Sequence, residues 1–254
     1  MIRSLEQIIQ NTNKPIGIFV NTGCPEMVEI TAQTGFDFMF IDCEHGSWGT
    51  ESMANLVRAA ESFGAAPLIR VSKTDETEIK HALDVGAAGV VIPGVSSVEQ
   101  AKTAIELCKF APAGKRGACP YVRANRYTGK SDRYFDESNR DVAVVLLIEG
   151  KEGVAAYDDI IALPDVKFVF FGPYDLSVSL CIPGQLDDPR VKDAITEMIK
   201  KARDKGVHAG MLGFDPEDTN AWFECGADYM VQVGDMSMYY RMCEQWVKGV
   251  KDGK

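Results

Sequence analysis

Asp42, Glu44 and His45 fall within four positions, directly behind the apolar run 36–41. Two carboxylates and an imidazole at that spacing can hold a cation or move a proton near neutral pH. The plain structural alternative is a polar turn with a surface histidine. It loses ground because the pattern recurs. Arg70 lies in the run 68–71, Glu149 follows the run 142–148, and Gly172-Pro173-Tyr174-Asp175 follows the run 166–171. Taken singly, Glu149 and Asp175 are each as readily helix N-caps. Side by side, two carboxylates without a local basic partner repel, which is tolerable when they share a divalent cation. An all-oxygen set suits Mg²⁺, Mn²⁺ or Co²⁺ better than a structural zinc.

The elements that must position these groups alternate regularly. Apolar strand-like runs at 16–20, 36–41, 68–71, 90–92, 142–148, 166–171, 207–212 and 228–233 are separated by segments of helical period, such as 50–63, 75–83, 97–110 and 189–205. Glycine or proline marks most junctions. Eight such repeats in 254 residues predict a single (β/α)8 barrel over 1–254, of the TIM type. A doubly wound open sheet is the competitor, and the absence of a Gly-x-Gly-x-x-Gly turn behind the first run disfavours it. In a barrel, the groups just past the carboxyl ends of the strands converge on one mouth. Glu149 and Asp175 end consecutive strands and should be neighbours there. The arginine-rich stretch 111–141 reads as one long functional loop.

Composition narrows the function class. The chain is 46% hydrophobic and 25% charged, with a net charge of −10, which argues against a nucleic-acid partner. No apolar run is long enough for a membrane helix, and the first residues lack a signal-peptide layout. Seven cysteines without a Cys-x-x-Cys pair suit reduced thiols, so a soluble cytoplasmic protein is expected.

Several stretches together resemble the HpcH/HpaI aldolases, the metal-dependent pyruvate aldolases typified by 4-hydroxy-2-oxoheptanedioate aldolase. They are Asp42-x-Glu44-His45, Pro67-Leu68-Ile69-Arg70-Val71, Leu83-Asp84-Val85-Gly86-Ala87 with Pro93, Arg116-Gly117, and Arg123-Ala124-Asn125-Arg126-Tyr127. Ile148-Glu149, Phe171-Gly172-Pro173-Tyr174-Asp175-Leu176-Ser177 and Ile182-Pro183-Gly184-Gln185 complete the set, in order along nearly the whole chain. The resemblance implies a phosphoenolpyruvate/pyruvate-type barrel enzyme in which Glu149 and Asp175 hold a divalent metal that pyruvate chelates. It implies that His45 is the base, acting through a water on the metal, that Asp84 raises its basicity, and that Arg70 stabilises the enolate. Gly172, the amide of Tyr174, Asp42 and Arg123 are the expected substrate contacts. A homo-oligomer, a hexamer or trimer of dimers, with its carboxyl-terminal helix exchanged between subunits, is implied as well. Leu147, Gly150, Tyr174 and Cys181 depart from the usual pattern and leave the aldehyde open. Relatives of the citrate-lyase kind, and a barrel binding a keto acid without turnover, are the alternatives.

Other residues invite plainer readings. A Schiff-base aldolase needs a desolvated lysine at a strand end, whereas the lysines fall on helices and loops, or, for Lys167, at a strand start. His81 reads as surface helix and His208 as structural. Trp48 is balanced between pocket wall and packing. Tyr239, Tyr240 and Trp246 form a stripe that faces either the core or another subunit. Arg123 and Arg126 are candidates for an anionic second substrate or a neighbouring subunit.

Overall fold

The computed structural model describes residues 3–46, 48–130 and 132–252, so the first two and last two positions of the expected domain lie outside the described residues. Eight parallel strands close in chain order into one barrel. They are β1 (Ile16–Val20), β2 (Phe38–Asp42), β3 (Ala66–Arg70), β4 (Gly89–Ile92), β5 (Ala143–Ile148), β6 (Phe168–Phe171), β7 (His208–Gly213) and β8 (Tyr229–Gln232). Closure comes from β1 pairing with β8, with Ile16 opposite Met230 and Ile18 opposite Gln232. The strands are buried on both faces, which explains their near-continuous apolar sequence. The outer helices need only one apolar stripe, as in Pro189–Lys205, which buries Val191, Ile195, Met198, Ile199 and Ala202.

Aromatic side chains fill the barrel. Phe19 meets Phe40 at 5.5 Å between ring centroids, and Phe40 meets Phe170 at 5.3 Å, both edge to face. Phe38 and Tyr229 fit because the residue paired with each on the adjacent strand is glycine. A Cβ on Gly17 would lie 2.3 Å from the Phe38 ring, and one on Gly210 2.2 Å from the Tyr229 ring. At the end where the strands begin, the helix Leu5–Asn11 acts as a plug. Its Leu5 and Ile8 are fully buried in the interior cluster with Phe38, Ala66 and Phe168. A capping box starts it: the Gln7 amide donates to the Ser4 hydroxyl, and the Ser4 amide donates to the Gln7 side chain.

Most strand bounds lie within two residues of the expected runs. The run at 36–41 becomes Phe38–Asp42 because Asp37 turns its carboxylate to the Ile16 amide at 3.2 Å. The stretch 111–141 is not one irregular loop. It contains a 3₁₀ turn, Arg123–Asn125, and the helix Tyr134–Asp141. Arg116 pins it: the guanidinium lies 4.4 Å over the Phe110 ring and donates to Asp84 at 2.8 Å. The aromatic stripe of helix Asp235–Lys251 does not face the core of its own chain. Only Asp235 is buried there, while Met236, Tyr239, Tyr240, Met242, Trp246 and Val250 stand exposed. No described helix is long and apolar enough to cross a membrane. All seven cysteines are free thiols.

Candidate active site

The mouth is organised around Arg70, the last residue of β3. Its Nε donates to Asp42 Oδ1 at 2.9 Å and its Nη2 to Asp42 Oδ2 at 2.8 Å. Nη1 lies 3.1 Å from Glu44 Oε2, and the guanidinium stacks 4.7 Å over the Phe19 ring. A guanidinium carries five N–H donors, so two remain free, one on each terminal nitrogen. Arg70 lines the cavity. Burial would raise the Asp42 carboxyl, yet the hydrogen bonds and charge of Arg70, with the amides of His45 and Glu44, hold it below the usual range. Glu44 goes the other way, because burial and the charges of Asp42 and Asp175 outweigh Arg70 and His45.

Glu149 follows β5, and Asp175 sits in the first turn of helix Pro173–Ser179 behind β6. Strands β5 and β6 pair from Val145 opposite Phe168 to Ile148 opposite Phe171, so the two carboxylates follow neighbouring strand ends, and both line one cavity. Glu149 Oε1 accepts the Gly94 amide at 2.7 Å. Its Oε2 lies where a Cβ on Gly172 would be, 2.7 Å away, so glycine at 172 leaves room for this carboxylate. Burial pushes the Glu149 carboxyl up to about 7, with Asp175 and Glu44 adding to the rise against the Gly94 amide and Arg70. Four carboxylates therefore surround one guanidinium, an arrangement whose excess negative charge suits a cation. Among the described residues no three Asp, Glu, His or Cys side chains form a closed metal site. Two carboxylates at neighbouring strand ends fit an Mg²⁺-type site, in which substrate and water complete the shell, and not a structural zinc.

Asp42, Arg70, Glu149 and Asp175 line a cavity of about 310 Å³ together with His45, Asn21 and an apolar set, Phe19, Leu147, Phe170, Leu212 and Val233. His45 is exposed at its edge, and its amide donates to Asp42 Oδ1 at 3.3 Å. Tyr174 lines the rim and packs edge-on against Phe214, with centroids 5.7 Å apart.

Of the expected site residues, His45, Arg70, Glu149, Asp175, Gly172, Tyr174 and Asp42 come together in this cavity. Asp42 is there in a different capacity from the expected substrate contact. Its side chain is 0% exposed. Oδ1 accepts from Arg70 and from the amides of Glu44 and His45, while Oδ2 accepts from Arg70 and Asn21. With its acceptor capacity filled, it positions Arg70. Asp84 is not brought to His45 within the chain. It ends helix Glu76–Asp84, which delivers it to the opposite end of the barrel, where Arg116 holds it. Arg123 lies at that end too, bonded to the Val85 carbonyl and ion-paired with Glu61. It lines a separate cavity with Arg3, Gly86 and Arg126. Trp48 packs against the outer core. Lys167 pairs with Glu6 of the plug helix at 3.2 Å, far from the mouth. Asn21 and Gly94 are site residues outside the expected set. Both follow strands, β1 and β4, so the rule that found Glu149 would have found them.

A family model described as HpcH/HpaI aldolase/citrate lyase matches residues 15–240. The 2-dehydro-3,6-dideoxy-6-sulfogluconate aldolase of Pseudomonas putida is 29% identical over 244 residues, 96% of this chain and 95% of its own. The hydroxypyruvate/pyruvate aldolase of Sagittula stellata is 30% identical over 225 residues, 89% of this chain and 88% of its own. Among solved structures, an HpcH/HpaI aldolase from Desulfitobacterium hafniense DCB-2 superposes with a TM-score of 0.92 at 28% identity, covering 98% of this chain and 97% of that one.

Proposed function

Since the chain belongs to the HpcH/HpaI aldolase/citrate lyase family and is an aldolase, we propose that it joins and cleaves the carbon–carbon bond between a pyruvate enolate and an aldehyde, with a divalent cation held by Glu149 and Asp175. The observation that carries this is the pairing of those two carboxylates at neighbouring strand ends, beside an arginine already committed to Asp42 and Glu44. When bound between Glu149 and Asp175, a divalent cation would supply Lewis acidity toward the enolate oxygen. Arg70 turns its two remaining N–H groups to the oxygen where that charge develops. His45 carries the proton: in cleavage the 4-hydroxyl loses a proton, the C3–C4 bond breaks, and its electron pair enters the enolate, which is then protonated at C3. The amides of Tyr174 and Asp175, at a helix start without a side-chain cap, suit the substrate carboxylate.

The relatives' names cover a sulfonated sugar acid in one case and two small 2-oxo acids in the other, so the family name does not fix the substrate pair. The exposed apolar face of helix Asp235–Lys251 is of a kind that marks a protein–protein contact, and we assign it to a second copy of this chain. Trp246→Glu should then reduce the species seen by light scattering. The central test is exchange of pyruvate methyl protons for deuterium, without aldehyde. Exchange should require Mg²⁺, Mn²⁺ or Co²⁺ and vanish on chelation while the barrel stays folded. Full exchange in protein shown free of metal by elemental analysis overturns the reading.

A further inference from the structure

Resting on that pyruvate-enolate reading, we infer that the electrophile this site takes is an uncharged aldehyde bearing an apolar, ring-sized substituent, held against Tyr174, Leu212 and Val233. Two independent features carry this.

The first is charge. Among the described residues lining the cavity, Arg70 is the one guanidinium and no lysine is present. Each of its three nitrogens already meets Asp42 or Glu44. Its two free donors and the cation are taken up by the nucleophile. A second carboxylate, phosphate or sulfonate on the aldehyde would meet no unspent cationic side chain in this lining and would approach the Asp175 side of the mouth, where like charges repel by about a few kcal/mol at contact. Arg241, whose guanidinium donates to the Phe214 carbonyl at 2.8 Å, lies outside the lining.

The second is the chemistry of the remaining wall. Leu147 and Leu212 extend from β5 and β7, and Val233 follows β8; these side chains offer no hydrogen-bond partner. Asn21 is the one uncharged amide in the lining, and its Nδ2 donates to Asp42 at 2.8 Å. A polyhydroxylated aldehyde would leave hydroxyls unpaired against this wall, at a cost of about 1–3 kcal/mol for each one desolvated. Tyr174, 52% exposed beside Phe214, offers instead the edge and face that an aromatic ring packs on. It lines the same cavity as Glu149 and Asp175, so a ring seated there shares the cavity with the nucleophile. In that addition C3 of pyruvate gives up a proton to the base, bonds to the aldehyde carbon, and the aldehyde oxygen takes a proton.

Initial rates of addition, with saturating pyruvate and Mn²⁺, should be compared for 4-methylbenzaldehyde, 4-carboxybenzaldehyde and glyceraldehyde. The expected kcat/KM for the methyl compound exceeds each of the others by at least about tenfold, and Tyr174→Ala lowers it about tenfold more than it lowers that for glyceraldehyde. Tyr174→Phe should keep the preference, since the ring and not the hydroxyl carries it. Pyruvate deuterium exchange is read in parallel. Exchange together with a preference for the carboxylate or the polyol overturns this inference alone. Lack of any exchange overturns the enolate reading and this inference with it.

Discussion

Asp42 and Arg70 are partners in the β2–β3 register, and their side chains repeat the pairing through two hydrogen bonds of 2.9 and 2.8 Å. Backbone closure thus sets the orientation of the guanidinium that faces the cavity. Asp42→Asn removes the charge and turns a donor toward Arg70. The buried guanidinium then loses its main counter-ion, which should cost on the order of 3 kcal/mol of folding stability, read from urea denaturation. A drop in kcat on the order of 10²-fold should accompany it, with saturating metal. A stable variant with undiminished kcat would show that Glu44 alone orients Arg70.

Arg70→Lys should be a poor replacement, because an ammonium cannot reproduce the planar fork that spans Asp42 and Glu44. The expected loss in kcat is about 10²–10³-fold, larger than the loss in pyruvate affinity. Steady-state kinetics separate the two. A rise in KM alone would make Arg70 an anchor for the substrate carboxylate.

His45→Ala should slow the deuterium exchange of pyruvate by roughly 10²–10⁴-fold. Calorimetric titration of Mn²⁺ should give unchanged affinity, since the variant removes neither Glu149 nor Asp175. Wild-type exchange in this variant would assign the proton transfer to another group.

Glu149 makes stability depend on pH in a definite direction. Its carboxyl is raised from 4.5 to about 7 by burial, so between those values the folded chain holds a proton that the unfolded chain has released. This group opposes folding increasingly as pH rises from 4.5 toward 7, and fully above it. In chelated protein, Glu149→Gln should therefore raise Tm at pH 8 by about a few degrees and change it little at acidic pH. Added Mn²⁺ should stabilise wild type at pH 8 and lose that effect in the variant. Calorimetry across pH decides it, and a variant that melts lower at pH 8 would mean that the carboxylate is already compensated.

The barrel was legible because each strand is a short apolar run that ends at a turn residue, and burial on both faces leaves no room for polar alternation. The convergence of Glu149, Asp175, His45 and Arg70 on one cavity was legible for the same reason, since each lies at a strand end or within four residues of one. Helix Leu5–Asn11 escaped, although Ser4 and Gln7 spell a capping box, because seven residues give too little periodicity to set against a loop. The end of the barrel reached by Asp84 was readable in principle. A residue closing a helical segment before a strand must lie opposite the mouth of its own chain, as Asp84 does. What one chain cannot spell out is the committed state of Asp42. Its saturation by Arg70, Asn21 and two amides arises only when β1, β2 and β3 stand side by side.

Phe19 and Phe170 belong at once to the packed interior and to the cavity wall. Carving the site deeper means replacing one of them, and truncating a buried phenylalanine costs about 3–5 kcal/mol. Variants selected for bulkier substrates should therefore accumulate changes in the upper wall, at Tyr174, Leu212 and Val233, while the floor stays fixed. Heat tolerance and substrate range would then diverge along the axis of the barrel, the lower half constrained by melting and the upper half free to diversify.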